Sequence, residues 1–208
     1  MLVQATKRQR GADIRQPGRR TAGLPDGFPR GRRSPKGILR WYLVPTPEGM
    51  EYPMAEKVKQ LVPRDLLGDA FVVSKERWSK RAGAWSKSVV PMWPGCFLAA
   101  TRDAAALDKV LAGLSFRVRV AGSGERAYQP MAAGAQEFLE RAMDAGRVVR
   151  GSVGEVSGGE LRVTSGPLAG QEGRILRWDR RKRWALVDVG SAEGGSVEAL
   201  ALDVPVKR

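Results

Sequence analysis

The sequence contains no histidine and only one cysteine among its 208 residues. Without histidine the chain lacks the commonest general base, the commonest metal ligand and the Ser-His and Cys-His pairs that activate nucleophiles. Cys96 alone cannot form an intramolecular disulfide or a cysteine metal cage, so we expect a reducing, cytoplasmic environment. The glycine-rich loop with Lys and Ser or Thr that cradles phosphates is also missing. The sequence therefore predicts a protein that is not an enzyme and that needs no metal or other cofactor.

Long hydrophobic runs are missing as well. No run approaches the roughly 18 apolar residues of a membrane-spanning helix. The charged N-terminus has no apolar segment of the kind that secretory signals contain. We therefore expect no membrane span. A polybasic tail could also bind anionic lipid, but the sequence shows neither an acylation signal nor an amphipathic helix beside the tail, so we expect no membrane partner.

Positive charge is abundant, and it points to a polyanionic partner. Hydrophobic residues make up 42% of the chain and charged residues 28%, as in soluble globular proteins of one or two domains, but the net charge is +14. Clustered Lys and Arg gain free energy by releasing counterions from phosphate backbones, so nucleic acid is the first partner to expect.

The excess charge is concentrated at the N-terminus. Residues 1–40 contain eleven lysines and arginines against Asp13 and Asp26, a net charge of +9 out of +14. The segment is rich in Gly and Pro and poor in large apolar residues, so little burial offsets the entropy of ordering it. We predict that residues 1–37 form a disordered basic tail. It is either a nonspecific nucleic-acid arm or a segment with no binding function, namely a solubilising extension or an addition from an upstream start codon.

Residues 38–145 alternate strand and helix signals. Aromatic and β-branched runs predict strands, apolar residues at helical spacing predict helices, and Asp103 suits a helix cap. The predicted elements are a strand at 39–44, a helix at 50–61, a strand at 70–73, a hairpin at 78–85, a strand from about 88 to 100, a helix at 104–114, a strand at 115–120, and a helix at 131–145 that Gly146 ends. This order predicts an α+β sandwich, an antiparallel sheet with helices on one face.

After Gly146 the sequence changes to short strands separated by glycine turns. We interpret 146–155 as a linker and 156–208 as a second, small all-β domain. Closing such a sheet into a barrel removes exposed strand edges. Because the pattern alternates and is not helix-periodic, we expect a permanent barrel.

A tight loop opens the second half of this domain. Gly166 and Gly170 permit backbone angles that side chains forbid, Pro167 fixes a turn corner, and Gly173 suits a close approach of strands. The loop and the alternating strand after it, in which Ala185, Val187 and Val189 are predicted to face inward, resemble the KOW motif. The glycines themselves are explained as fold-determining.

A basic cluster follows the loop, in a hairpin that Asp179 begins and Trp184 ends. Arginine grips phosphates and stacks on bases, and tryptophan stacks too, so the hairpin predicts an RNA contact, with a solvated charged hairpin as the alternative. The candidate RNA-binding residues in this cluster are Arg177, Arg180, Arg181, Lys182, Arg183 and Trp184, and the family resemblance described next adds Arg174.

The resemblance extends upstream to the NusG superfamily of transcription factors. The segment RWYLVPTPEG is similar to the start of a NusG-type N-terminal (NGN) domain, and PMWPGCFLAA is similar to its Phe-Pro-Gly-Tyr strand, with Trp93 for Phe and Cys96 for Tyr. With the KOW domain, the resemblance covers Leu39–Arg208. The loop SGPLAGQEG followed by DRRKRWA most resembles the LoaP subfamily, whose Asp-Arg-His-Lys-Arg pattern here has Arg181 in place of His.

The resemblance implies a transcription elongation factor, and we expect it to be a monomer. Its N-terminal domain would lay an apolar patch on the clamp helices of the β′ subunit of RNA polymerase and suppress pausing. LoaP-like relatives cause antitermination after their KOW domain engages a leader RNA hairpin. The implied polymerase-binding patch consists of Pro45, Trp93, Cys96 and Leu98, with Tyr42 and Phe71 nearby in the core.

Two alternatives remain open. A general NusG factor would use its KOW domain to couple polymerase to Rho or to a ribosomal protein. A ribosomal or ribosome-assembly KOW protein would bind RNA without polymerase, although the upstream α+β unit argues against it.

Overall fold

Two neighbouring strands carry the two segments that resemble the NGN domain. The computed structural model describes residues 37–116, 118–122, 128–190 and 197–205, so the predicted tail lies outside the described residues except for Gly37. Strand β1 (Arg40–Pro45) pairs antiparallel with β5 (Cys96–Thr101) along its whole length. Strand β2 (Asp69–Phe71) pairs with the other side of β5, which places β5 at the centre of a three-stranded sheet.

Three helices accompany these strands, as predicted. They are α1 (Glu51–Leu61), α2 (Ala104–Ala112) and α3 (Ala133–Ala142). Helix α1 buries Met54, Ala55 and Val58 and contacts β2 and β5. The Asp103 side chain caps α2 by accepting a hydrogen bond from the Ala106 amide at 2.9 Å, which confirms the predicted cap.

A hairpin forms a second sheet. Strand β3 (Ser74–Arg81) pairs with β4 (Ala84–Pro91), and the short β6 (Val148–Val149) runs parallel to β3. The turn residues Ala82 and Gly83 both have positive φ, 48° and 83°, as two-residue hairpin turns prefer. The predicted hairpin is confirmed.

The C-terminal strands form a third sheet. They are β7 (Ser152–Ser157), β8 (Glu160–Ser165), β9 (Ile175–Asp179), β10 (Trp184–Asp188) and β11 (Val197–Asp203), in the order β8-β7-β11-β10-β9. Ala185, Val187 and Val189 are fully buried, as their alternation predicted. A barrel requires this sheet to curl until β8 and β9 close it, so barrel closure and the exact domain boundaries stay predictions.

Three predictions about elements are wrong. The strand predicted from about 88 to 100 is two strands, β4 and β5, because Pro91 and Pro94 lack an amide donor and Gly95 turns the chain with φ 76°. The described residues of the predicted strand 115–120 form no strand; instead, the Asp108 side chain accepts a hydrogen bond from the Val120 amide at 2.8 Å.

The third error concerns the end of α3. The helix ends at Ala142, three residues early, and Gly146 does not terminate it. The Asp144 carboxylate accepts hydrogen bonds from the amides of Gly146 and Val148 at 2.8 and 3.0 Å. These bonds offer the backbone an alternative to another helical turn.

One hydrophobic cluster joins the N-terminal and C-terminal sheets. It contains Trp41 and Phe138 from the first part of the chain and Val187 and Leu200 from the last. At the same junction Gly190 lies so close to α3 that an added Cβ would be 2.7 Å from the Ala135 amide nitrogen. The segment predicted as a linker, 146–155, contains β6 and the start of β7.

Candidate nucleic-acid interface

The basic cluster lies at the tip of the β9–β10 hairpin, as predicted. The Asp179 carboxylate accepts a hydrogen bond from the Lys182 amide at 2.9 Å, which stabilises the turn. Arg183 completes the turn with φ 55°, a left-handed conformation that non-glycine residues seldom adopt. The hairpin therefore has a defined conformation and carries its charges on a fixed support.

Four cationic side chains of the cluster are exposed. Arg177, Arg180, Arg181 and Lys182 reach solvent, and Arg180 and Arg181 line an open recess of about 560 Å³ beside Trp178. The Arg180 guanidinium donates a long hydrogen bond of 3.4 Å to the Pro205 carbonyl, and its exposed position still lets it approach a phosphate. These four residues are the part of the predicted RNA site that remains accessible.

Arg183 and Arg174 have partners within the protein. The Arg183 guanidinium lies 4.7 Å from the ring centre of Trp78 and 5.1 Å from that of Trp85, both on the β3–β4 hairpin. The Arg174 guanidinium lies 5.3 Å from the ring centre of Phe138 on α3. Both arginines therefore join the C-terminal sheet to the rest of the chain, a role that their sequence context does not reveal.

Trp184 lines a cleft between the two hairpins. The cleft has a volume of about 460 Å³ and includes Trp78 and Trp85 on one side and Lys182 on the other. Sequence reasoning identified β3–β4 as a hairpin but not as part of this surface. The available signal was two tryptophans at mirrored positions, each opposite a lysine, in a hairpin of mainly positive charge.

Two ion pairs hold β3 against the C-terminal sheet and against the segment that leads into β7. Lys75 and Glu198 pair at 2.6 Å, and each side chain is 14% exposed. The Glu76 carboxylate accepts a hydrogen bond from the Gly151 amide at 2.8 Å and pairs with Arg150 at 3.3 Å. These contacts fix the two hairpins relative to each other.

The predicted polymerase-binding patch is only partly at the surface. Pro45 and Cys96 are opposite one another in the β1–β5 pair; Pro45 is exposed, and Cys96 and Trp93 are half-buried. Leu98 is 1% exposed in the core, so its inclusion in a contact patch is wrong. Phe71 is core as predicted, whereas Tyr42 is half-buried and Trp41 takes the core position of β1.

A buried carboxylate supports the turn beside this patch. Glu51, 2% exposed, accepts a hydrogen bond from the Gly95 amide at 2.7 Å, and this bond lowers the pKa of Glu51. Burial raises the pKa of the Cys96 thiol, so Cys96 is an uncharged, weakly polar contact at neutral pH. The patch is therefore mainly apolar and rests on a rigid turn.

The glycine loop has the predicted positive φ angles at two positions, 92° at Gly166 and 71° at Gly170. At Gly166 a Cβ would lie 2.7 Å from the Ser152 Cα, so the backbones of the loop and β7 touch there. Pro167 follows Gly166 at the corner of the loop. Gly173 instead lies in a 3-10 turn (Glu172–Arg174) with open space around it, so its predicted role in a close approach is wrong.

Comparison with solved structures gives a distant likeness in fold. No protein-family model matches the chain, and no curated protein sequence does. A solved structure described as "Domain interaction in Thermotoga maritima NusG" is similar with a TM-score of 0.44 and 16% identity, over 79% of this chain and 94% of that chain. At this level of similarity neither family membership nor function follows from the likeness.

Among the described residues, no helix is long and apolar enough to cross a membrane.

Proposed function

We propose that the protein is a specialised NusG-type transcription elongation factor that causes processive antitermination. It binds RNA polymerase through the surface around the β1–β5 pair and a leader RNA hairpin through the basic tip of the β9–β10 hairpin. The observation that carries the proposal is the pairing of β1 with β5. It brings the two NGN-like sequence segments together, with Pro45 opposite Cys96.

The polymerase contact is supported by the apolar corner at this pair. Part of the apolar surface there stays accessible to solvent, namely that of Pro45, Trp93 and Cys96. The backbone there is held by the Thr46 amide, which donates to the Gly95 carbonyl at 2.8 Å. A rigid apolar patch of this kind suits a helical partner, because little entropy is lost when it binds.

The RNA contact is supported by the four exposed cations of the β9–β10 hairpin. Each phosphate neutralised releases counterions, so log K falls with log salt by about 0.7 to 0.9 per contact. Four contacts would give a slope of roughly −3, so binding through the tip alone weakens steeply as salt rises, and a second contact would add affinity. Simultaneous attachment to polymerase supplies that second contact.

The proposed mechanism involves no covalent step. A factor that bridges polymerase elements favours the closed clamp by the difference between its affinities for the closed and open states. About 1.4 kcal/mol of such preference changes the ratio of the two states tenfold. The leader RNA determines where this happens because it recruits the factor to one operon.

Terminator readthrough tests this function. Purified bacterial RNA polymerase would transcribe templates with and without the 5′ leader of the operon that contains this gene, in the presence and absence of the protein. We expect readthrough to increase only on templates that carry the leader. Faster elongation on both templates would instead indicate a general NusG factor, and no effect on polymerase would leave RNA binding without a transcription role.

A further inference from the structure

The β3–β4 hairpin presents an aromatic and cationic face toward the basic tip. In the antiparallel register Trp78 is opposite Lys87, and Lys80 is opposite Trp85. Residues two apart on a strand share a face, as do directly opposite residues, so all four side chains lie on one face. The two indole rings meet edge to face at 6.4 Å.

The Arg183 guanidinium fixes the distance between this face and the tip. Its contacts with both indole rings join the hairpins at one end, and Asp203 pairs with it at 3.6 Å. Strand β11 lines the cleft between the hairpins through Ala199, Leu200 and Ala201. The cleft is therefore a preformed space with two walls.

Positive charge dominates the lining of the cleft. Lys80 and Lys182 stand on opposite walls. The acidic residue in the lining, Glu76, is already occupied by Lys87 at 3.3 Å, Arg150 and the backbone. A ligand that enters the cleft meets cations and aromatic rings together.

Unpaired nucleotides fit this combination. Bases stack on aromatic side chains while phosphates bind lysines, and both interactions tolerate any sequence. A space of about 460 Å³ is within the usual range for small ligands, roughly 300–1,000 Å³, but cannot receive a duplex. In a duplex the bases are stacked on each other and do not reach a side chain in such a cleft.

We propose that the cleft between the β3–β4 and β9–β10 hairpins is a binding site for single-stranded nucleic acid. A base stacks on Trp184, and flanking phosphates contact Lys80 on one wall and Lys182 on the other. The inference rests on the proposed RNA contact of the β9–β10 tip and adds the β3–β4 hairpin to it. The site is thus composite, and neither hairpin alone provides it.

The test measures binding of the full chain to fluorescein-labelled 12-nucleotide oligouridine, 12-nucleotide oligothymidine and a 12-base-pair duplex by anisotropy. The deciding variant is Lys80→Glu, with Lys109→Glu on α2 as the matched control. A second variant, Arg180→Glu with Arg181→Glu, alters only the tip. Equal thermal midpoints for Lys80→Glu and the wild type establish that the variant is folded.

We expect Lys80→Glu to weaken single-strand binding at least about fivefold and to reduce the salt slope by roughly 0.7 or more. Lys109→Glu should leave both values unchanged. Base stacking should quench the intrinsic tryptophan emission, and Trp184→Phe should reduce that quenching. A preference for oligouridine over oligothymidine would identify RNA as the natural ligand, and equal affinities would mean that the cleft accepts both.

Three outcomes would overturn the proposed cleft site. They also distinguish a failure of the cleft site from a failure of the proposed function. If only the tip variant loses binding, the tip contacts RNA but the composite cleft does not. If neither Lys80→Glu nor the tip variant loses binding, both the cleft and the RNA contact of the proposed function fail. If Lys80→Glu weakens binding of the duplex as much as binding of the single strands, the cleft does not select unpaired bases.

Discussion

Replacing Arg183 with alanine should destabilise the fold, unlike the replacement of its neighbours at the tip. The Arg183 guanidinium contacts the rings of Trp78 and Trp85, and the side chain, 29% exposed, pairs with Asp203. Truncation to alanine removes all three interactions. The residue therefore differs in kind from Arg181, although the two look alike in the sequence.

The magnitude follows from these contacts. A cation over an aromatic ring contributes about 0.5–1 kcal/mol at exposed sites and up to about 2 when desolvated. The ion pair with Asp203, long at 3.6 Å and partly exposed, adds less than about 1 kcal/mol. We expect Arg183→Ala to lower the free energy of unfolding by about 2 kcal/mol. For a chain of this length that corresponds to a decrease in Tm of about 4–8 °C.

Thermal and urea unfolding of the full chain, followed by circular dichroism, measure this loss. The matched control is Arg181→Ala, which should change the unfolding free energy by no more than about 0.5 kcal/mol. Arg183→Lys should recover only part of the loss, because an ammonium cannot stack on a ring as a planar guanidinium does. The reasoning is refuted if Arg183→Ala and Arg181→Ala have the same Tm and weaken RNA binding equally.

Three further predictions concern the tip, the glycine loop and the buried carboxylate. Charge reversal at Arg180 and Arg181 should weaken RNA binding, measured by anisotropy, and reduce its salt dependence, while binding to purified polymerase is kept. An equal loss of RNA binding and polymerase binding would contradict separable contacts. Gly166→Ala should cost about 1–3 kcal/mol of unfolding free energy in urea titrations, because the new Cβ meets the backbone of β7 at positive φ, whereas Gly173→Ala should be nearly neutral. The lowered pKa of Glu51 makes its stabilisation complete above the unfolded pKa, near 4.5, and lost progressively as pH falls through the folded value. Glu51→Gln should therefore destabilise the protein more at pH 7 than at pH 3 in thermal unfolding, and an equal loss at both pH values would refute it.

Local signals made much of the fold predictable. The alternation at Ala185, Val187 and Val189, the Asp103 cap and the hairpin around 78–85 all depend on neighbouring residues, and the structure has each as expected. These features repeat known backbone geometries, so a short window of sequence contains the information.

The failures occurred where a distant partner decided the outcome. Val120 alternates like a strand residue, but its amide donates to the side chain of Asp108, twelve residues earlier. Leu98 matches a surface motif in sequence, yet β1 and β2 flank it on both sides, and it is buried. The candidate site shows the same dependence on distant residues. Arg183, predicted to bind RNA, instead contacts two tryptophans about a hundred residues away in the sequence.

The junction between the sheets changes how the two proposed contacts would cooperate. A flexible linker would let polymerase and RNA binding vary independently and would set the effective concentration by linker length. Here Phe138 and Val187 share one hydrophobic cluster, and the Gly190 backbone lies against α3. The basic tip of the β9–β10 hairpin is therefore held at a fixed distance from the β1–β5 patch. Cooperation between the two proposed contacts then depends on whether leader RNA and polymerase can both be reached from this one geometry.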